Sequence, residues 1–231
     1  MRKLFITSDT HFYHQNITTG LSDWADGGQR DFPDEISMTT HLINNINAQA
    51  GKDDIIRHGG DWSFGGINKF VEARLRIICD DIRISFGNHD HLLIQNRPIP
   101  PQYRDECQNR FGFKCRNLQD LFTQVTLKQT FKIKDITATL SHYAERVWDK
   151  SHAGAIQIHG HSHAGLERLE QYFGHKPGGL HPINDFYNKY RTLDGGIDNA
   201  FRIKGEYVLF TEDDIYEILS PRPSLTLLDH H

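Results

Sequence analysis

In Ile82-Arg83-Ile84-Ser85-Phe86-Gly87-Asn88-His89-Asp90, an apolar run ends at a glycine that is followed at once by an amide, an imidazole and a carboxylate. The run predicts a strand, and the glycine lets the backbone turn sharply where that strand ends. Asn, His and Asp side chains are costly to bury without partners, so a simple turn gives little reason for all three. The stretch therefore indicates a functional site at a strand end.

Four further apolar runs end in the same way. They are Leu4-Phe5-Ile6 before Ser8-Asp9-Thr10-His11, Ile55-Ile56 before Gly60-Asp61, Ile136-Thr137-Ala138-Thr139-Leu140 before Ser141-His142, and Ile156-Gln157-Ile158 before Gly160-His161-Ser162-His163. Ligands of α/β folds gather outside the carboxyl ends of the strands, where separate segments converge. Residues two apart on an extended chain point the same way, so we expect Asp9 with His11, and His161 with His163, to share one centre.

These strand ends together offer seven side chains with metal-binding atoms: Asp9, His11, Asp61, Asn88, His142, His161 and His163. Oxygen and imidazole ligands without thiolate indicate manganese, iron, nickel or zinc, and not a structural zinc cage. Seven ligands are too many for one tetrahedral ion, whereas two ions about 3.5–4 Å apart and bridged by a carboxylate use them naturally. The sequence therefore predicts two divalent metal ions, with manganese as the first expectation.

Length and composition set the broad class. The 231 residues, 37% of them hydrophobic and 11% aromatic, predict one folded domain over 1–231. A net charge of −4 lacks the basic bias of proteins that hold extended nucleic acid. Cys79, Cys107 and Cys115 form no CxxC pair, and neither a signal peptide nor an apolar stretch of about 20 residues is present, which predicts a cytoplasmic protein without membrane contact. His230 and His231 are interpreted as a tail, either natural or left from cloning, that is not part of the predicted site.

Hydrophobic periodicity predicts an α/β (α+β) fold. Strands are expected at about 3–8, 54–59, 82–87, 123–133, 136–141, 155–159, 191–196 and 206–211, and helices over 35–50 and 67–80. The alternation of strands and helices in the first half predicts parallel βαβ units. The consecutive strands of the second half predict antiparallel hairpins in a second sheet packed on the first.

Several other segments carry weaker signals. Glu212-Asp213-Asp214 predicts a helix start, because acidic residues favour helix N-termini. Asp194-Gly195-Gly196-Ile197-Asp198 is interpreted as a turn after a late strand, and Trp62 as a packing residue. The segments 97–118 and 164–190 follow metal-type motifs and are either loops over the site or surface connections. Within the first of them, Arg97 and Arg104 are interpreted as solvated loop residues.

The five polar blocks occur in the order Asp-x-His, Gly-Asp, Gly-Asn-His-Asp, His and Gly-His-x-His, and in this the chain resembles the calcineurin-like metallophosphoesterases. The resemblance covers roughly residues 4–163. It is closest to small bacterial and phage-type members, which often open as Asp9-Thr10-His11-Phe12-Tyr13-His14 does here. It implies a four-layer α-β-β-α sandwich of two packed mixed β-sheets, with the metal site at the strand C-terminal ends.

The resemblance also implies a role for each site residue. The ligand sets it implies are Asp9, His11 and His163 for one ion, Asn88, His142 and His161 for the other, and Asp61 as the bridge. Beside the ligand Asn88, it implies that His89 meets the phosphoryl group and helps to protonate the leaving oxygen, and that Asp90 orients the His89 ring. His14 and Asn16 are candidates for the substrate pocket, with a surface loop as the alternative.

The implied function is hydrolysis of a small phosphomonoester or phosphodiester substrate, including nucleotides, by a metal-activated hydroxide. A nuclease is the alternative enzyme, and it would need a basic groove or a partner subunit. A non-catalytic scaffold that keeps the fold is the alternative from another class, although such a protein should have lost ligands. Small members often carry an aliphatic residue where this chain has Gly59, so that strand end is either looser or more closely packed.

Overall fold

The computed structural model describes residues 2–18, 30–166, 187 and 189–225. The strands in these residues are β1 (Leu4–Thr7), β2 (Ile55–His58), β3 (Asp81–Ser85), β4 (Gln124–Thr126), β5 (Lys128–Ile133), β6 (Ile136–Ser141), β7 (Ile156–His159), β8 (Thr192–Asp194) and β9 (Phe210–Thr211). The α-helices are α1 (Glu35–Gln49), α2 (Ile67–Arg76), α3 (His91–Ile94), α4 (Arg104–Phe111), α5 (Ile197–Lys204) and α6 (Glu212–Leu219).

The strands form two mixed sheets. The first has the order β4-β3-β2-β1-β9, in which β1 to β4 run parallel and β9 pairs antiparallel with β1. The second has the order β5-β6-β7-β8, in which the β5–β6 pair is antiparallel and the other two pairs are parallel. The predicted α/β fold with two packed mixed sheets is confirmed.

Alternating side chains of β1 contribute to two apolar cores, one on each face of the first sheet. Phe5 faces the core under α1 and α2, whereas Ile6 faces the second sheet and packs with Leu140 and Ile158. Neighbouring residues of a strand point to opposite faces, so a short run such as this one supplies both cores. Each fully buried aliphatic side chain stabilises the fold by about 1.5–3 kcal/mol relative to exposure.

The connection between β4 and β5 differs from the prediction. We expected antiparallel hairpins in the run 123–133, but β4 pairs parallel with β3 in the first sheet, while β5 begins the second sheet. The chain crosses between the sheets at Leu127, whose side chain is 78% exposed. Gln129 fixes the crossing, because its side-chain amide donates to the carbonyls of His58 (3.2 Å) and Arg83 (3.1 Å) in the first sheet.

Helix boundaries follow local hydrogen bonding. α1 starts after Asp34, whose carboxylate accepts from the Ser37 N–H, and it ends one residue before the predicted boundary. α2 ends four residues earlier than predicted, because Arg74 donates to the carbonyls of Ile77 and Asp80 and so satisfies them outside the helix. The predicted helix after the acidic run is confirmed as α6. No helix in the described ranges is long and apolar enough to cross a membrane.

Helix α4, within the segment 97–118, lies away from the strand carboxyl ends. Arg110 of α4 donates to the carbonyl of Leu75 (2.8 Å) and pairs with the carboxylate of Asp80 (3.2 Å), just before β3 begins. These contacts place α4 at the opposite end of β3 from the Gly-Asn-His-Asp stretch, as a surface connection. Most of 164–190 falls outside the described residues.

Candidate metal centre

Hydrogen bonds tie the polar strand ends of the two sheets together. The His161 N–H, after β7, donates to both carboxylate oxygens of Asp9 at 3.0 Å, after β1. The His89 N–H, after β3, donates to Asp61 Oδ1 at 2.8 Å, after β2. The predicted convergence of separate chain segments at the strand carboxyl ends is therefore present in the structure.

A first group of candidate ligands consists of Asp9, His11 and His163. Each offers one ligand atom, and these three atoms lie within 4.8 Å of one another. Asp9 and His11 are fully buried, and the His163 side chain is 11% exposed. The rings of His11 and His163 stack with their centroids 4.9 Å apart. This group can hold one metal ion.

A second group consists of Asp61, His142 and His161, again with ligand atoms within 4.8 Å of one another. Asn88 belongs with this group, because its Oδ1 lies 2.7 Å from His142 Nε2 and 2.9 Å from His161 Nδ1. The Asn88 amide oxygen therefore faces the same point as the two imidazoles. This group can hold a second metal ion.

Asp61 lies between the two groups. Its Oδ2 is 3.6 Å from His11 Nε2 in the first group and 3.5 Å from His142 Nε2 in the second. His142 Nδ1 also lies 3.9 Å from Asp9 Oδ1, so the groups are immediate neighbours. One carboxylate thus faces both sets of ligands, which is the geometry of a shared ligand.

The buried polar atoms of the centre fit bound cations. Neither ring nitrogen of His11 has a hydrogen-bond partner among the described residues, although both are buried. Burial raises the pKa of Asp9 to about 8 and that of Asp61 to about 7, because a carboxylate charge is unfavourable away from water. Buried carboxylates that lack hydrogen-bonded cationic partners are typical of metal sites. The donor set of carboxylate, imidazole and amide, without thiolate, fits divalent ions.

The imidazoles of the second group are in the state that binds metal. Burial lowers the pKa of His142 to about 4, and burial followed by the His163 charge lowers the pKa of His161. Neutral imidazole is the form that donates a lone pair to a cation. His142 Nδ1 faces the Gly59 carbonyl at 3.1 Å, which assigns the proton to that nitrogen and leaves Nε2 directed at Asn88 and Asp61.

His163 differs from the other imidazoles. Burial alone would lower its pKa, but a hydrogen bond and ion pair with Asp198 outweigh burial and raise the pKa to about 8. Burial would likewise raise the pKa of Asp198, yet the charge of Arg30 and the bond from His163 hold it well below its usual range. A carboxylate behind a ligand imidazole fixes the direction in which the ring points.

The backbone of the centre is strained. Five of the seven predicted ligands have a positive φ, which non-glycine residues adopt rarely: Asp9 (55°), His11 (47°), Asp61 (57°), His161 (66°) and His163 (47°). Such conformations cost about 1–2 kcal/mol each. The expectation that an extended backbone aims these side chains was wrong, since β1 ends at Thr7 and left-handed turns bring the ligands together. Strain of this kind is concentrated at functional sites.

Glycines let the strand ends approach each other. A Cβ at Gly160 would lie 2.0 Å from Ser8 Oγ and 2.4 Å from Asp9 Oδ2, and one at Gly87 would lie 2.1 Å from Asp61 Oδ1. A Cβ at Gly59 would lie 2.8 Å from Ser8 Oγ, just after β1 of the first sheet, and 3.2 Å from Leu140 Cδ1 in the second sheet. The additional glycine therefore allows closer packing at this strand end.

Asp90 acts on the backbone of the strand ends. Its carboxylate accepts from the N–H groups of Gly87 (2.8 Å), Asp61 (2.8 Å) and Trp62 (2.9 Å). No hydrogen bond joins it to the His89 ring in the part of the chain that the structure describes, which differs from the predicted orientation of that ring by Asp90. Trp62 is buried, as predicted for a packing residue.

Of the two predicted pocket residues, the structure places only His14 at the centre. The His14 ring stacks on Phe64 with centroids 3.7 Å apart and lies 5.3 Å from the His11 ring. Phe64 also lies 4.9 Å from the ring of His89. Asn16 is exposed on the short helical turn Gln15–Ile17 and makes no hydrogen bond to the candidate ligands among the residues described.

Residues beyond the predicted set also belong to the centre. The interpretation of 194–198 as a mere turn was wrong, because Asp198 contacts His163 and Asp194 accepts from the Ser162 hydroxyl (2.5 Å) and the Ala164 N–H (2.8 Å). Two acidic residues flanking a Gly-Gly pair after a strand were the available signal. For Arg30, the sequence carried none.

The chain is similar to proteins that are themselves described as uncharacterized. An uncharacterized protein of Methanocaldococcus jannaschii is 35% identical over 92 residues, which is 39% of this chain and 48% of that protein. The chain thus matches about half the length of this relative. Among solved structures, a protein of unknown function from Aquifex aeolicus has a TM-score of 0.55 at 16% identity, covering 95% of this chain and 100% of that one. No protein-family model matches.

A second solved structure is a conserved uncharacterized protein from Streptococcus pneumoniae TIGR4, described as a predicted phosphoesterase. It has a TM-score of 0.28 at 13% identity and covers 69% of this chain and 62% of that chain. A similarity this low supports no inference about activity, and the Aquifex structure shows a shared fold alone. The chemistry of this chain therefore has to be argued from its own residues.

Proposed function

We propose that the chain is a dinuclear-metal-dependent phosphoesterase that hydrolyses phosphomonoesters or phosphodiesters, with nucleotides among the expected substrates. The observation that carries the proposal is a pair of adjoining ligand groups on either side of the Asp61 carboxylate. A single group of three ligands fits many metal proteins. Two groups that share a carboxylate fit the hydrolysis of a phosphoester, in which both the attacking and the leaving oxygen need stabilisation.

Manganese is the proposed cation for both positions, with iron, nickel or zinc as alternatives for the same oxygen and imidazole donors. Two bound cations would neutralise phosphate oxygens and supply a water molecule of lowered pKa. Asp61 would serve both positions, and Asn88 would complete the second set through its amide oxygen. The first cation would thus lie between the buried Asp9 and His11, and the second beside the exposed side chains of Asn88 and His161.

His89 is the proposed contact for the reacting phosphate. It is exposed, as are the candidate ligands Asn88 and His161, and its ring centroid lies 5.7 Å from that of the buried His11. Burial of its inner part lowers the pKa, while the neighbouring Asp90 charge opposes the shift. An imidazole at the mouth of the site can donate a hydrogen bond to a phosphate oxygen and a proton to the leaving oxygen.

The wall beside His89 is aromatic. The Phe64 ring stacks on His14 and lies tilted by 46° against the ring of His89, so aromatic rings form one face of the proposed site. We propose that His14 lines the substrate pocket through this stack, whereas Asn16 stays outside it. A flat apolar wall next to a phosphate contact suits an aryl or nucleoside leaving group.

The test of the proposed function is a substrate screen with defined cations. The purified chain is assayed on p-nitrophenyl phosphate, bis-p-nitrophenyl phosphate, linear and cyclic nucleotides and a single-stranded oligonucleotide, each with Mn²⁺, Ni²⁺, Zn²⁺ or Mg²⁺. We expect turnover with Mn²⁺, and preference between the mono and bis esters identifies the reaction type. Full metal content with no hydrolysis of any substrate would contradict the proposal and favour a non-catalytic scaffold.

Two substitutions separate metal binding from catalysis. His89→Ala is expected to keep both metal ions and lose most turnover, whereas Asp61→Asn is expected to lose metal as well. His41→Ala is the matched control, because His41 is an exposed histidine on α1 and lies outside both ligand sets. Equal metal loss in the His89 and Asp61 variants would contradict this division of roles.

A further inference from the structure

Arg30 and Asp198 form a fully buried pair beneath the first ligand group. Arg30 Nε donates to Asp198 Oδ1 at 2.8 Å and Nη2 donates to Oδ2 at 2.9 Å, so the contact is bidentate. Arg30 is 0% exposed and Asp198 is 6% exposed. The planar guanidinium fixes the carboxylate in both position and orientation.

Asp198 also reaches the first ligand group directly. Its Oδ2 lies 2.6 Å from His163 Nδ1, so this nitrogen carries the proton and Nε2 is left for a cation. His163 lies beyond the end of β7 and has a positive φ, so regular secondary structure gives it little support. The direction of its ring therefore depends on the carboxylate behind it.

Arg30 holds the other side of the same group. Its Nη2 donates to the Asp9 carbonyl at 2.6 Å, and its Nη1 donates to the Thr10 carbonyl at 2.7 Å. Asp9 and His11, which flank Thr10, both have a positive φ. Arg30 therefore hydrogen-bonds the backbone where it is strained. The ligand residues that the pair contacts, Asp9 and His163, both belong to the first group.

We propose that Arg30 and Asp198 are positioning residues that set the affinity of the first cation position, formed by Asp9, His11 and His163, and leave the second position largely unaffected. The inference rests on the proposed function, because it requires that two cations bind. Neither residue touches the reacting phosphate in this scheme. Asp198 holds His163 through the ring nitrogen Nδ1, and Arg30 holds Asp9 through its backbone carbonyl.

Binding of Mn²⁺ is measured by titration calorimetry and by the electron paramagnetic resonance signal of free Mn²⁺. The unfolding temperature of each protein is measured as well. Asp198→Asn keeps the size of the side chain and removes its charge. We expect one Mn²⁺ to bind about 10- to 100-fold more weakly and the other within about twofold of wild type. Asp81→Asn is the matched control, because it removes a carboxylate paired with Arg83 (2.9 Å) at the far end of β3.

The double variant Arg30→Met, Asp198→Asn separates positioning from folding. Removal of both charges leaves no unpaired buried guanidinium, so stability should recover relative to the single variant while the first affinity stays low. Recovery of that affinity in the double variant, or equal weakening of both positions, would overturn the inference. Wild-type protein that binds no Mn²⁺ would instead refute the proposed function itself, so the two failures are distinguishable.

Discussion

The metal-free protein should become less stable relative to its Asp9→Asn variant as the pH rises. Asp9 is fully buried and its pKa is raised from 3.8 to about 8. A group whose pKa is higher in the folded state stabilises that state when protonated, and this contribution is lost as pH rises through the folded pKa. The loss for Asp9 therefore runs from its ordinary pKa of 3.8 to its folded pKa of about 8, and the range from pH 7 to 8.5 covers the upper end of this window.

The magnitude follows from proton linkage. Each proton bound only by the folded state changes the free energy of unfolding by about 1.4 kcal/mol per pH unit. Asp9 loses most of its proton between pH 7 and 8.5, so the difference in unfolding free energy between variant and wild type should grow by about 1 kcal/mol. Groups whose titration is the same in both proteins cancel in this comparison.

The assay is urea unfolding of metal-free wild type and Asp9→Asn at pH 7, 7.5, 8 and 8.5, followed by the same series with Mn²⁺. The cation should shift the comparison in favour of wild type, because at about 100 times its dissociation constant it stabilises wild type by about 2.7 kcal/mol and should bind the variant poorly. A variant-to-wild-type difference that is independent of pH, or that shrinks as pH rises, would refute the buried-carboxylate argument.

Three further substitutions test separate parts of the structure. Gly87→Ala puts a Cβ 2.1 Å from Asp61 Oδ1 and should weaken Mn²⁺ binding at least about tenfold, since the shared carboxylate must move; unchanged affinity in a titration would contradict the close packing. Asp90→Asn should lower the unfolding free energy by about 2 kcal/mol in urea, since buried N–H groups lose an acceptor; wild-type stability would show that those bonds matter little. Thr211→Ala removes the α6 capping box and should cost about 1 kcal/mol with Mn²⁺ affinity intact; a loss of affinity would show coupling to the centre.

The strands and the candidate ligands could be predicted because both depend on short stretches of sequence. The run at β6 was predicted with its boundaries intact, and β1 and β2 within one residue at each end, since apolar runs of four to six residues between polar breaks identify strands. The ligand groups follow from polar residues after such runs, because parallel strands bring their carboxyl ends to one edge. The prediction needed no knowledge of which side chains touch.

The rest depended on contacts between distant residues. Arg30 and Asp198 are 168 positions apart, and no local sequence pattern around either residue indicates that they pair. The crossing at Leu127 was missed because the two strand-like runs 123–127 and 130–133, with only Lys128 and Gln129 between them, look like a hairpin. In the structure Gln129 bonds to the other sheet instead. The left-handed backbone at Asp9 and His11 was missed because local propensity disfavours it, and only the surrounding bonds impose it.

Strain, burial and close packing coincide at one place in this molecule. Five ligand residues adopt a left-handed backbone conformation, and the carboxylates of Asp9 and Asp61 are buried with raised pKa values. The fully buried guanidinium of Arg30 donates to the backbone carbonyl of Asp9. The first two of these features lower the stability of the free chain, and a fold selected for stability alone would avoid them together. Bound cations would relieve the second directly, since they replace the protons that the carboxylates otherwise retain. The energetics of the centre thus point to metal binding independently of the motif pattern, and the pH series with and without Mn²⁺ tests that reasoning without reference to any substrate.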